Sequence, residues 1–217
     1  MPPHITVLPA STVAGKATIR HLLGSDEKPH VRGIYRDTSK APAEFTQNHR
    51  FEAAKGDVGA QDDLNFAPSS AVFYIPPPTY DGRDTSAFAA HAATNVQNAL
   101  RRAGVRRLVL HSALGAQRDS GIVSLEETAA GGLVLTLGPL QGVLRLNHVS
   151  DEMLKAAAAE VVIVRPCNYF ENWTSALKTM QKDPPTFEST FSPPDLELPL
   201  VGGPQTPPLA PQYGLKS

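Results

Sequence analysis

The feature that most constrains this chain is an alternation. Six short runs rich in apolar and β-branched residues, at 5–8, 30–35, 51–54, 71–75, 107–111 and 161–164, are separated by helical or turn-like segments. Residues 15–23 carry apolar side chains at helical spacing through Ala17, Ile19, Leu22 and Leu23, and Gly24-Ser25-Asp26 stops them. Residues 84–103 put Phe88, Ala92, Val96 and Leu100 on one stripe, with Gly104 ending the helix, and residues 149–159 read as a further helix. Strands that alternate with helices imply a parallel sheet covered on both faces. Right-handed crossovers then make the sheet doubly wound, with ligands outside the carboxyl ends of its strands.

Between the first strand and the first helix runs Leu8-Pro9-Ala10-Ser11-Thr12-Val13-Ala14-Gly15-Lys16. In a Rossmann-type fold this place holds a glycine-rich phosphate loop. Its first glycine permits the turn, its second lets backbone approach a pyrophosphate, and its third lets helix and strand pack closely. Pro9 takes the first position, fixing φ and removing an N–H donor. Thr12 takes the second and brings a Cβ and a methyl to it; Gly15 keeps the third. Ser11, Thr12 and Lys16 could supply hydroxyl and ammonium donors beside a helix N-terminus in place of glycine backbone. The same residues also fit a strand–turn–helix that binds nothing.

Composition excludes several classes. A chain of 217 residues can bury a real core, and its net charge of −1 gives no electrostatic footprint for nucleic acid or an anionic membrane. The single cysteine, Cys167, leaves no internal disulfide framework and fits a reducing compartment. The start, Met1-Pro2-Pro3-His4, does not read as a signal peptide, and no apolar run is long enough to span a bilayer. The expected setting is cytoplasmic, with the nucleus also open. Twenty prolines gather at 76–78 and in the last third of the chain, where regular structure is expected to stop.

Six ordered pieces resemble the NmrA-like group of atypical short-chain dehydrogenase/reductase proteins. They are the loop at 8–16, Tyr35-Arg36-Asp37 with Lys40, Gly56-Asp57-Val58, Gly104-Val105-Arg106-Arg107, Ser112-Ala113-Leu114-Gly115-Ala116, and Arg165-Pro166 with Phe170-Glu171-Asn172-Trp173. The resemblance implies an NAD(P)-binding Rossmann-type fold, with Pro9, Ser11, Thr12, Gly15, Lys16, Arg36, Lys40, Asp57, Pro76 and Pro77 at the cofactor. Arg36 follows the second strand, where an acid would bond the ribose of NAD and a basic residue would meet the 2′-phosphate of NADP. NADP(H) is therefore expected over NAD(H), although Asp37 lies beside Arg36 and a solvated strand end would look the same. Asp57 matches the family's acid near the adenine, and Gly-Asp after a strand is also ordinary turn chemistry. Pro76-Pro77-Pro78 would wall the nicotinamide side, or simply stiffen the exit from the sheet.

Catalytic residues are sparse. The wider superfamily uses a Tyr with a Lys four residues later, plus a Ser after the fifth strand, the Lys lowering the Tyr pKa for proton exchange. Leu144 stands at the tyrosine place and His148 at the lysine place, so the dyad is absent. Ser112 remains near the serine position without an activating base, and His148 could exchange protons near neutral pH or be structural. The dispersed histidines have no metal-ligand spacing. Hydride transfer without the tyrosine suits an enone, iminium or quinone acceptor.

Two segments depart from the family pattern. Residues 123–141 form an insertion; Val-Ser at its start and Gln at its end can be encoded by the borders of a short in-frame intron, and a surface loop is the alternative. Residues 201–217 turn Gly/Pro/Gln-rich and read as a disordered tail, leaving one NAD(P)-binding domain over 1–200 with its substrate side truncated. Three functions stay open: an oxidoreductase of a small-molecule substrate, a non-catalytic NADP(H) sensor acting on a regulatory protein partner, and an inactive truncated product.

Overall fold

The structure is a computed structural model; it describes residues 2–60, 63–79, 81–118, 120–127, 133–139, 142–169, 180–181, 183–185 and 200–201. The chain divides into two compact units, 1–166 and 167–217. The first is built on a sheet of six parallel strands, β1 His4–Leu8, β2 His30–Tyr35, β3 Phe51–Lys55, β4 Ala71–Tyr74, β5 Arg107–His111 and β8 Glu160–Val164. Their order across the sheet is β3-β2-β1-β4-β5-β8. Every run expected to be a strand is one, and the doubly wound α/β architecture follows. Strand order reverses between β1 and β4, and that switch point is where such sheets open a crevice.

Helices α1 (Val13–Gly24) and α2 (Ala43–Thr46) pack near β1 to β3, where Ile19, Val31, Tyr35 and Phe45 are buried together. Helix α3 (Thr85–Ala103) buries Ala89, Ala92, Ala93, Val96, Ala99 and Leu100. Its alanines let the helix backbone lie close to the sheet, while Val96 and Leu100 fill the space above Leu108 and Leu110. Asp84 caps its start by accepting from the Ala87 N–H at 2.9 Å, and Gly104 closes its end at φ 62°.

Helix α4 spans Gly142–Leu154, not 149–159. The alanines after Leu154 are good helix formers, but Glu160 must enter β8 beside β5, and its N–H bonds Arg106 O at 2.9 Å. Tertiary pairing overrides propensity there. Around the segment expected as an insertion, 123–141, β6 (Ser120–Glu127, beginning before it) and β7 (Leu133–Pro139) form an antiparallel pair that bonds only to itself among the described strands. In the second unit, β9 (Asn168–Tyr169) pairs in parallel with β10 (Leu200–Val201). Val201 therefore belongs to a strand, and the expected tail beyond it lies outside the described residues.

Candidate functional site

A cleft of about 890 Å³ opens over the carboxyl ends of β1, β2, β3 and β4. That lies near the upper end of the roughly 300–1,000 Å³ of small-molecule and cofactor sites. Of the residues expected at a cofactor, Pro9, Ser11, Thr12, Arg36, Lys40, Asp57 and Pro77 line it. Gly15, Lys16 and Pro76 do not.

Their absence from the wall has separate causes. Gly15 is buried behind the loop, and a Cβ there would stand 2.5 Å from Pro9 O and 2.9 Å from Thr12 Oγ1. It keeps the close-packing role read from the sequence. Lys16, one turn into α1, shares a helix face with Arg20. Glu44, which Arg20 pairs, is held below the usual range chiefly by that hydrogen bond, with Lys16 adding a smaller lowering. Pro76 is buried, and it is Pro77 and Pro78 after it that reach the cleft.

Thr12 is the N-cap of α1. Its Oγ1 accepts from the Gly15 N–H at 2.9 Å, and its hydroxyl donates to Pro9 O at 3.1 Å. The hydroxyl is thus used inside the loop, a correction to its expected role as a free donor. The N–H groups of Val13 and Ala14 remain outside the helix ladder, and the first turn of α1 holds no acidic residue. The N-cap Thr12 and the exposed Ser11 line the cleft, so the positive dipole end of α1 borders it.

The pairing of Arg36 with Asp37 resolves in the same way. Asp37 accepts from the Ser39 backbone N–H at 3.0 Å and from the Ser39 hydroxyl at 2.7 Å, capping the short turn Thr38–Lys40. Those bonds hold its carboxyl below the ordinary aspartate range. Arg36 is exposed and makes no hydrogen bond or ion pair among the described residues, so two cations, Arg36 and Lys40, face the cleft at the end of β2. Asp57 lines the cleft, and its Oδ1 accepts from the Gly59 N–H at 2.9 Å in the turn that follows β3.

The two catalytic candidates lie elsewhere. Ser112 is 2% exposed, and its hydroxyl donates to Asp151 Oδ2 at 2.9 Å. Arg165 binds the same oxygen through Nη2 at 2.8 Å and Nε at 3.2 Å. Burial pushes the Asp151 carboxyl up, against the hydrogen bonds of Ser112 and Arg165 that pull it down. Ser112 is therefore not a lone serine but part of a buried network tying the ends of β5 and β8 to α4. His148, on α4, has Nδ1 2.9 Å from Ala116 O. Neither Ser112 nor His148 lines the cleft.

Sequence reasoning missed Asp151, and it missed the outer cleft wall formed by Asp81, Arg83 and Phe88. A signal existed for Asp151: it falls on the buried face of α4 with Leu146, Asn147, Ser150 and Leu154, and polar residues in a core stripe call for partners. Among the described residues no group of three or more His, Cys, Asp or Glu could hold a metal ion, and no helix is long and apolar enough to cross a membrane.

A parallel, doubly wound sheet with a cleft at its switch point, an open helix N-terminus and basic side chains after β2 defines a dinucleotide-binding protein of Rossmann type. The sequence profile of the NAD(P)H-binding family matches residues 10–197, and the chain belongs to that family. No curated protein sequence matches it. Among solved structures it is similar to the triphenylmethane reductase of Citrobacter sp., at 17% identity and a TM-score of 0.60, over 81% of this chain and 54% of that one. The complex of that reductase with NADP(H) gives a TM-score of 0.58 at 17% identity, covering 81% and 55%. An NADPH-dependent quinone oxidoreductase from Escherichia coli, complexed with NADPH, gives 0.59 at 20% identity, covering 82% and 54%. The chain spans about half the length of these proteins, and at such identities the likeness is one of fold.

Proposed function

We propose that this chain is an NmrA-like, NADP(H)-preferring oxidoreductase that reduces a small carbonyl, enone or quinone-type acceptor without a Tyr–Lys dyad. The observation that carries this is the cleft that brings the open N-terminus of α1 together with Arg36 and Lys40. The helix end accepts a pyrophosphate, and the two cations accept a 2′-phosphate. Asp37, turned into its own cap, does not compete for the ribose. When bound, the dinucleotide supplies a hydride. The protein's own part is to hold it, to wall the cleft with Pro77 and Pro78, and to exclude water.

With Leu144 at the tyrosine place and the Ser112 hydroxyl turned to Asp151, no side chain identified here delivers a proton to a carbonyl oxygen. That favours acceptors that take a hydride without one, and the similar reductases of triphenylmethane dyes and quinones support the choice. The proposed partner is thus a small molecule in a cytoplasmic setting. The engaged Ser112 also favours a second reading, a non-catalytic NADP(H) sensor that acts on a protein partner.

NADPH titration followed by a panel of quinone, enone, triphenylmethane dye and simple ketone separates the two. The expected result is saturable NADPH binding with turnover of quinone or dye well above that of the ketone. Binding without turnover of any acceptor selects the sensor. Failure to bind NADPH or NADH overturns both.

A further inference from the structure

The outer wall of the cleft has a construction that phosphate binding does not explain. Arg83 Nε donates to both carboxylate oxygens of Asp81 at 2.8 Å, and a second guanidinium nitrogen pairs with the same carboxylate. The guanidinium carbon lies over the Phe88 ring, 4.9 Å from its centroid. The side chain is still 52% exposed and lines the cleft. The result is a flat surface, fixed in plane by Asp81, backed by an aromatic ring and largely neutralised in charge. Arg36 is the opposite case: a cation in the same cleft without an acid partner among the described residues. One arginine is suited to an anion and the other to a π-face.

The sheet order says what lies against Arg83. The α1 N-terminus marks the pyrophosphate, and β2 and β3 lie to one side of it. Arg36 and Lys40, at the end of β2, mark the ribose on that side, so the base attached to it falls over the end of β3, at Asp57 and Val58. Arg83 lines the cleft together with Asp57 and Val58, and Phe88 beneath it packs on the turn that follows, 3.4 Å from where a Gly59 Cβ would stand.

We propose that Arg83, held by Asp81 and Phe88, recognises the adenine of the dinucleotide by stacking on its ring. This rests on the NADP(H) reading above. Stacking needs the guanidinium plane and is indifferent to the 2′-phosphate, which sets Arg83 apart from Arg36.

The test is equilibrium binding of NADPH, NADH and adenosine 2′,5′-bisphosphate to the full chain, comparing wild type with Arg83→Ala and Arg83→Lys. Both variants are expected to lose about tenfold for all three ligands, the 1.4 kcal/mol of one base-stacking contact. Because Arg83 is half-exposed, circular dichroism and Tm are expected to stay at wild-type values. Recovery of affinity by lysine, or a loss confined to the 2′-phosphate ligands, makes Arg83 a charge contact and overturns the assignment. Wild-type affinity in both variants also overturns it while leaving the NADP(H) site standing. Failure of the wild type to bind either dinucleotide removes the site itself.

Discussion

At the amino-terminal edge of the sheet, His4 is half-buried, with Nδ1 3.2 Å from Ser69 Oγ and its ring stacked 6.3 Å from that of His30. Burial lowers its pKa, with Arg32 and His30 adding to the shift and Glu52 opposing it. The folded state therefore takes up the His4 proton less readily than the unfolded chain. Between the depressed folded pKa and the unfolded value of 6.5, the unfolded state binds more protons, so stability rises with pH. The contribution is complete above 6.5 and is lost as pH falls through the folded value. His111, lowered by burial, adds a term of the same sign. Thermal melts at pH 7.5 and pH 5.5 are expected to show a lower Tm in acid, and His4→Gln is expected to shrink the difference. An unchanged difference in the variant removes His4 from this account. Residue chemistry of this kind was only partly legible in the sequence. Arg36 and Asp37 are neighbours of opposite charge, and only the Ser39 hydrogen bonds show which one the fold consumes. Ser112 was read as unactivated because its partner, Asp151, is 39 positions away and meets it only through the packing of α4 on β5.

The junction of β1 and α1 shows how an element rule survives the loss of most of its motif. Alanine at position 15 would gain about 1 kcal/mol in helix propensity over glycine. It would also put a Cβ 2.5 Å from the Pro9 carbonyl oxygen, a backbone atom that cannot move without opening the turn. Overpacking of that kind costs about 1–3 kcal/mol, enough to cancel the gain and exceed it. Gly15→Ala is expected to destabilise by about 1 kcal/mol net, lowering Tm by about 3 °C. A variant as stable as wild type would show that the turn relaxes freely. Periodicity located α1, α3 and all six main strands, because each packs a regular face. It misplaced α4, whose face mixes Asn147, Ser150 and Asp151 with Leu146 and Leu154 and so hides the apolar stripe.

For the whole molecule, strand–helix alternation was enough to deduce the doubly wound sheet, because crossover handedness leaves few other arrangements. The cleft itself was half legible. Its inner wall comes from loops that directly follow strands, which any reading of a Rossmann-type order would inspect. Its outer wall comes from Asp81 and Arg83, in a connection with no motif to mark it, and from Phe88 near the start of α3. The self-paired β6–β7 hairpin lies outside the main sheet's hydrogen-bonded ladder and leaves its strand order unbroken.

The central claim is that this cleft holds a dinucleotide with its 2′-phosphate at Arg36 and Lys40. The most direct measurement is the ratio of NADPH to NADH affinity in wild type and in Arg36→Ala, at one fixed ionic strength. A charge-assisted contact to phosphate is worth about 1.5–3 kcal/mol, so the variant is expected to lose at least about tenfold in NADPH affinity while NADH changes little. Equal loss for both cofactors, or none for either, would contradict the account.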